Sequence, residues 1–179
     1  MAATACVVLA CGAAPTLEPR PGGNPEQVDL SGQWALRGGA ALPGGDGQMI
    51  RIPAAIRRDG DQPRRERSQK GASVRVFIES GRSLKVTQTA YGLFFSYDRA
   101  IVEEYNFGEN RDVNVGPIKA RRVAGWDAEA FVIETMDENG NVLAESWRLD
   151  EGGAVLVRRM TITEKGKQTL DTRQVFDRV

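Results

Sequence analysis

The chain has 179 residues, in which 24 lysines and arginines balance 24 aspartates and glutamates, and it has no histidine. The length predicts one domain, and the zero formal charge gives no reason to expect nucleic acid as a partner. The commonest general base and metal ligand is absent, and the glycine-rich stretch 38–47 lacks the Gly-Lys-Ser/Thr of a phosphate loop. We therefore expect no catalytic activity, no metal and no cofactor.

Both cysteines lie in the first eleven residues, MAATACVVLAC, so that no disulfide is available to the rest of the chain. The run from Val7 to Gly12 resembles the lipobox of bacterial lipoproteins, in which an apolar run and a small residue precede the lipid-bearing cysteine. This resemblance implies that residues 1–11 are a lipoprotein-type signal segment and that Cys11 carries a lipid. Because no lysine or arginine precedes the apolar run, we expect the true start to lie upstream. The alternative is an ordinary signal peptide or a frayed N-terminus.

The lipobox resemblance also implies a location. In that family an aspartate directly after the lipid-bearing cysteine retains the protein at the inner membrane, and this chain has Gly12 there instead. We therefore expect an envelope protein facing the periplasm and anchored in the outer membrane.

Two segments lack the periodicity of helices or strands. Residues 12–28 are rich in proline, glycine and alanine, which is typical of a flexible tether. Residues 29–179 are predicted to form the folded domain, with a long loop insertion at 38–72. The part of this loop at 51–70 is basic, and it is either a contact for a partner protein, a contact for anionic lipid or a solvated loop.

The remainder of the chain has the pattern of short strands separated by turn signals. Asn139-Gly140 favours a tight hairpin because both residues tolerate positive φ, and glycines mark other breaks. Strands at this spacing, with no helical pattern between them, predict an all-β fold: an antiparallel up-and-down meander that closes into a barrel of eight to ten strands. The predicted strands are 32–37, 73–79, 83–89, 91–97, 100–107, 117–124, 129–135, 141–149, 153–162 and 169–178.

A Gly-x-Trp motif, Gly32 to Trp34, stands on the first predicted strand. Together with the meander it resembles the calycin group of lipocalins, fatty-acid-binding proteins and avidins. The resemblance implies that Trp34 plugs one end of the barrel and that a cation from the last strand packs across it. Either Arg178 or Arg173 is available for this, and Arg178 is preferred because it shares strand parity with Phe176.

Alternation along the strands predicts which side chains line a cavity. A carboxylate inside a barrel needs a partner. Glu134 or Glu145 is therefore expected to pair with an interior arginine, unless these charges line a wet cavity at an open end or face outward. The candidate lining residues are Gln88, Tyr91, Phe95, Tyr97, Arg122, Glu134, Glu145, Trp147 and Arg158.

These features favour two classes of function. The first is an envelope-anchored barrel that binds a small apolar or amphipathic ligand or has a structural role, and residues 29–179 resemble uncharacterised bacterial envelope lipoproteins of this shape. The second is a protein-binding module, because LSGQW at 30–34 also resembles the start of periplasmic inhibitors of secreted metalloproteases. Such inhibitors normally carry a disulfide, which the body of this chain lacks.

Overall fold

The computed structural model describes residues 16–39 and 74–179. Cys11 and the basic stretch 51–70 therefore lie outside the described residues. The described chain is built from ten strands and three short 3₁₀ segments. The strands are β1 (Gly32–Leu36), β2 (Ser83–Gln88), β3 (Gly92–Tyr97), β4 (Ile101–Asn106), β5 (Glu109–Val115), β6 (Ile118–Asp127), β7 (Ala130–Asp137), β8 (Val142–Asp150), β9 (Val155–Glu164) and β10 (Lys167–Arg178).

The ten strands form one antiparallel sheet in the order β4-β3-β2-β1-β10-β9-β8-β7-β6-β5. Except for β4 and β5, strands that follow one another in the chain pair as neighbours, and the sheet curls so that β1 pairs with β10, with Trp34 opposite Arg178. The predicted all-β fold, an antiparallel up-and-down meander of eight to ten strands, is thereby confirmed. The sheet is not fully closed, because β4 and β5 are its two edges and do not pair with each other. We call the line between β4 and β5 the seam.

The two ends of the barrel differ in what fills them. The Trp34 end carries the turns β2–β3, β4–β5, β6–β7 and β8–β9, and the main apolar cluster includes the buried side chains of Leu30, Trp34 and Phe176. The opposite end, the Phe77 end, is filled by a second cluster in which Val74 and Phe77 pack against Leu143 and Ile162. No helix in the described part of the chain has the length and apolar character needed to cross a membrane.

The strand prediction was wrong in two places. Residues 73–79 were expected to form a strand, but Val74–Phe77 is a 3₁₀ turn whose Val74 and Phe77 side chains are buried in the Phe77 end. The alternation of apolar side chains there reflects this plug, since β1 already pairs directly with β2. Strand β5 was missed because its sequence, ENRDVNV, contains only two apolar residues. As an edge strand it exposes most of its side chains, so the usual alternation is absent.

Residues 20–31 are packed against the barrel, although 12–28 were expected to be a free tether. Arg20 pairs with Glu134 on β7, and Asn24 accepts a hydrogen bond from Gln88 at the end of β2. Leu30 is buried at the Trp34 end. We call residues 20–31 the strap. It crosses from the outer face of β6 and β7 to β2.

Candidate functional site

Arg178 lies over the ring of Trp34, with its guanidinium carbon 4.2 Å from the ring centroid. Its Nε donates to the carbonyl of Gly153 (2.9 Å) and its Nη1 to that of Ser31 (3.0 Å). This contact explains why a glycine stands two residues before Trp34 in the Gly-x-Trp motif. A Cβ on Gly32 would lie 2.7 Å from Arg178 Nη1 and 3.2 Å from the indole, so any side chain there would displace the guanidinium.

A second arginine, Arg158 on β9, is completely buried inside the barrel and closely paired. Its Nε donates to Glu145 Oε2 (2.8 Å), and its Nη2 makes a second bond to the same carboxylate. Nη1 donates to the side chain of Gln174 (3.1 Å) and to the backbone carbonyl of Glu79 (2.7 Å). The guanidinium also stacks 4.8 Å from the Trp147 ring. Four of the five N–H donors of Arg158 therefore have protein acceptors, which indicates a structural role.

Arg122 on β6 is also buried, at 5% exposure, but it is paired much less completely. Its Nε donates to Thr135 Oγ1 (3.2 Å), and its Nη1 lies 3.4 Å from the carboxylate of Glu103 on β4. Glu103 is one-quarter exposed. The guanidinium carbon lies 5.1 Å from the ring centroid of Tyr105. Arg122 thus offers a buried positive charge whose only described ion pair is long and reaches across the seam to a partly solvated partner.

The low polarity of the interior changes the ionisation of groups around these arginines. Burial raises the pKa of the Tyr97 and Tyr105 hydroxyls, so both phenols are neutral at physiological pH. Burial and then the nearby charge of Glu103 raise the pKa of Glu79. For Arg158, burial lowers the pKa, but the Glu145 carboxylate together with smaller effects of Tyr97 and Tyr105 more than offsets this, so that the net pKa is raised.

Six of the predicted lining residues lie inside the barrel: Phe95, Tyr97, Arg122, Glu145, Trp147 and Arg158. Gln88 also faces inward, but it is occupied by the strap, since its side chain accepts from Leu30 N and donates to the Val28 carbonyl. Two assignments were wrong. Tyr91 is 81% exposed in the turn before β3, and Glu134 lies on the outer face of β7, where it pairs with Arg20 at 2.9 Å.

Several interior polar residues were not predicted. Thr135, Gln174 and Glu103 all contact one of the two interior arginines. Strand parity with Arg158 and Phe176 would have found the β10 residue, because Gln174 and Phe176 share a face. Glu103 could not be assigned in this way, since its strand has few apolar residues to mark the inner face.

A groove with a volume of about 850 Å³ opens at the Phe77 end, between the β5–β6 and β7–β8 turns. Its apolar lining includes Val113, Pro117, Ala120 and Met136. Val113 and Ala120 pack against the second apolar cluster, and Ala120 precedes Arg122 by one alternation on the same face of β6. Lys119 and Arg121 on β6 and Met136 on β7 also line the groove and face outward, so the groove lies mainly over the outer face of the sheet, and Arg122 is not among its lining residues. Among the described residues no three His, Cys, Asp or Glu side chains are placed to hold a metal ion.

No protein-family model and no curated protein matches this chain. Among solved structures, the REP1-NXSQ fatty acid transporter is similar at 12% identity with a TM-score of 0.48, covering 84% of this chain and 96% of that one. The zebrafish ileal bile acid-binding protein in complex with cholic acid has 13% identity and a TM-score of 0.44, covering 84% and 98%. A secretory abundant heat soluble protein from Ramazzottius varieornatus has 11% identity and a TM-score of 0.41, covering 54% and 70%. At such values these likenesses decide nothing about a ligand.

The Trp34–Arg178 contact predicts non-additive effects on stability. Trp34→Ala should lower the free energy of unfolding by about 3–5 kcal/mol because a large buried aromatic leaves a cavity. Arg178→Ala should cost less, and the double variant should be more stable than the sum of the single effects by about 0.5–2 kcal/mol, since the two side chains touch. Urea denaturation of the four proteins measures this coupling. Strict additivity would contradict the stacking.

Removing one member of the Arg158–Glu145 pair should destabilise the protein more than replacing both members by apolar residues. Glu145→Gln should cost about 3–5 kcal/mol, because the guanidinium of Arg158 then remains buried without a counter-charge. The double variant Glu145→Leu with Arg158→Met should be more stable than Glu145→Gln in the same denaturation assay. As a control, Asp171→Asn removes the partner of the exposed Arg159 and should leave the midpoint near that of the wild type. A Glu145→Gln protein as stable as this control would show that the pair is not needed.

Proposed function

We propose that this barrel binds a small amphipathic molecule with an anionic head group and that Arg122 holds the head group. The observation that carries the proposal is the difference between the two interior arginines. Arg158 uses four of its five N–H donors on protein acceptors, including two bonds to a buried carboxylate, whereas Arg122 has two, to a hydroxyl and to a carboxylate 3.4 Å away. A hydrogen bond shorter than that is available to a carboxylate or phosphate oxygen.

A ligand anion can replace Glu103 as the partner of Arg122 at a net gain in free energy. Glu103 is partly solvated and lies on the seam edge, so that releasing it returns a carboxylate to water at small cost. The arriving anion would gain a charge-assisted bond in a site that is largely shielded from solvent. The aromatic faces of Tyr105 and Phe77 flank the guanidinium and hold it in place.

Apolar side chains lie next to Arg122 on the inner wall of the barrel. Val113 on β5 is opposite Ala120 on β6, one alternation along the same face from Arg122. An acyl chain or a flat apolar ring system matches this apolar wall.

Calorimetric titration with dodecanoate, dodecanol and dodecylamine tests the head group. Dodecanoate should bind, and the other two should bind much more weakly. Arg122→Gln should raise the Kd for dodecanoate by about 10- to 100-fold, because a hydrogen bond to a charged group contributes about 1.5–3 kcal/mol. The control is Arg159→Gln, on the outer face of β9 and paired with Asp171, which should bind as the wild type does.

Three other outcomes would contradict the proposal. Equal losses in the two arginine variants would contradict a role for Arg122. If none of the three probes binds to the wild type, the packed interior favours a structural barrel instead. Stronger binding of dodecylamine would place a cationic head group against Glu79 and Glu103 and contradict the proposed anionic head group.

We further propose that the barrel is a lipoprotein of the bacterial envelope, with a lipid on Cys11. The support is the apolar run that ends at Leu9-Ala10-Cys11 and the Pro/Gly-rich segment after it. Metabolic labelling with a fatty-acid analogue, on a gene with a complete signal start, should label the wild type and not Cys11→Ser. A Cys11→Ser protein that still takes up label and stays in the membrane fraction would contradict lipidation at this residue.

A further inference from the structure

The contacts across the seam between β4 and β5 weaken from the Trp34 end toward the Phe77 end. At the Trp34 end the two strands are joined by the short turn Phe107-Gly108, and the Glu109 carboxylate accepts from the backbone N of Asn106 at 3.1 Å. Among the described residues, the contacts across the middle of the seam come from side chains: Arg111 Nη2 lies 3.2 Å from the Glu104 carbonyl, and Arg122 makes its long pair with Glu103. The turn is therefore the hinge of any opening of the seam, and Arg122 lies on the side that opens.

The strap passes directly over this hinge. A Cβ added to Gly22 would meet the carbonyl of Phe107 at 3.4 Å, and one added to Gly108 would lie 3.0 Å from the Cα of Gly22. Beneath the strap, the Phe107 ring lies 5.8 Å from both Trp126 and Phe131, measured between ring centroids. The strap thus presses the turn and its aromatic anchor onto the barrel.

Both ends of the strap are attached to the wall of the barrel on opposite sides of the hinge. On the β6–β7 side, Arg20 reaches Glu134 (2.9 Å) and Asp127 (3.3 Å). On the β2 side, Gln88 holds Asn24 and the Val28 carbonyl. The strap therefore connects β6 and β7 on one side of the seam to β2 on the other, beside the β4–β5 turn and in addition to it.

Gly125 shows that the wall is shaped for the strap. This glycine lies within β6, where a residue without a side chain weakens a strand. A Cβ there would lie 2.6 Å from the Cβ of Arg20 and 2.7 Å from the Pro21 carbonyl. Strand β6 thus has no side chain at Gly125, where the strap crosses it.

We propose that the strap is a clamp on the seam: it limits how far β4 and β5 separate and so sets the rate at which a ligand reaches and leaves Arg122. The clamp itself follows from the contacts above, and its effect on ligand exchange rests on the proposed function. Releasing the strap should speed both association and dissociation while leaving the Kd nearly unchanged, because the residues at Arg122 are not altered.

Two variants release the strap by different means. Arg20→Glu places a third negative charge beside Glu134 and Asp127, and adding Glu134→Arg should restore the attraction. Gly125→Ala pushes the strap off by steric contact without changing any charge, and alanine is tolerated since the backbone of Gly125 has no positive φ. Glu18→Gln, at an exposed position just before the strap, is the matched control.

Hydrogen exchange of the ligand-free proteins tests the clamp. Amides of β4 and β5 should exchange about fivefold faster in Arg20→Glu and in Gly125→Ala, the size expected for losing a partly exposed ion pair. Amides of β9 should not change, and the charge-swapped double variant should return to the wild-type rate. Unchanged β4 and β5 exchange in both variants, or acceleration in β9 equal to that in β4 and β5, would overturn the proposal.

Stopped-flow mixing with dodecanoate, followed by tryptophan fluorescence, tests the consequence for ligand exchange. Association and dissociation should both be about fivefold faster in the released variants, and Glu18→Gln should match the wild type. Faster amide exchange with unaltered ligand rates would overturn the link between strap and ligand. If the wild type binds no dodecanoate while the amides respond as expected, the clamp is supported and the proposed function fails.

Discussion

The barrel depends on one contact between its two termini, the stacking of Arg178 on Trp34. The strands β1 and β10 that carry these residues are 144 positions apart at the contact, so only the pairing of the first strand with the last brings them together. The same guanidinium holds the carbonyls of Ser31 and Gly153, which ties the entry into β1 and the β8–β9 turn to the last strand. Because side chains alternate along β10, this anchor also determines that Phe176 and Gln174 face inward.

That register places charged groups in an interior that is otherwise apolar. A buried ion pair is costly unless its geometry is close and further hydrogen bonds support it, and Arg158 meets this condition with Glu145, Gln174 and the Glu79 carbonyl. Arg122 does not meet it, since its pair with Glu103 is long and open to solvent. The two arginines lie in the same barrel, yet one is closely paired and the other has a distant, partly solvated partner. This difference, more than the presence of charge inside the barrel, separates a structural group from a candidate binding group.

The inner face of a strand can be predicted from the sequence when only that face is covered by the rest of the protein. Where one face of a strand is buried and the other is solvated, as in Leu143, Glu145 and Trp147 on β8, alternation predicted the inner face. On β7 it failed, because both faces carry apolar residues: Val132 and Met136 share the outer face with Glu134, while Phe131 and Ile133 face inward. Strand β5 and the 3₁₀ plug were misread for related reasons: the edge strand needs no apolar face, and the plug has one without being a strand.

Two glycines within strands record contacts that alternation cannot show. Gly32 leaves space for the guanidinium of Arg178, and Gly125 leaves space for Arg20 and Pro21. In each case the chain accepts a poor strand former because a segment distant in sequence must approach the backbone closely. Gly32 serves the contact that closes the barrel, whereas Gly125 serves the strap that bridges the one line where it stays open. The pair of glycines thus marks the closed side and the open side of the same sheet, and Arg122 lies beside the open one.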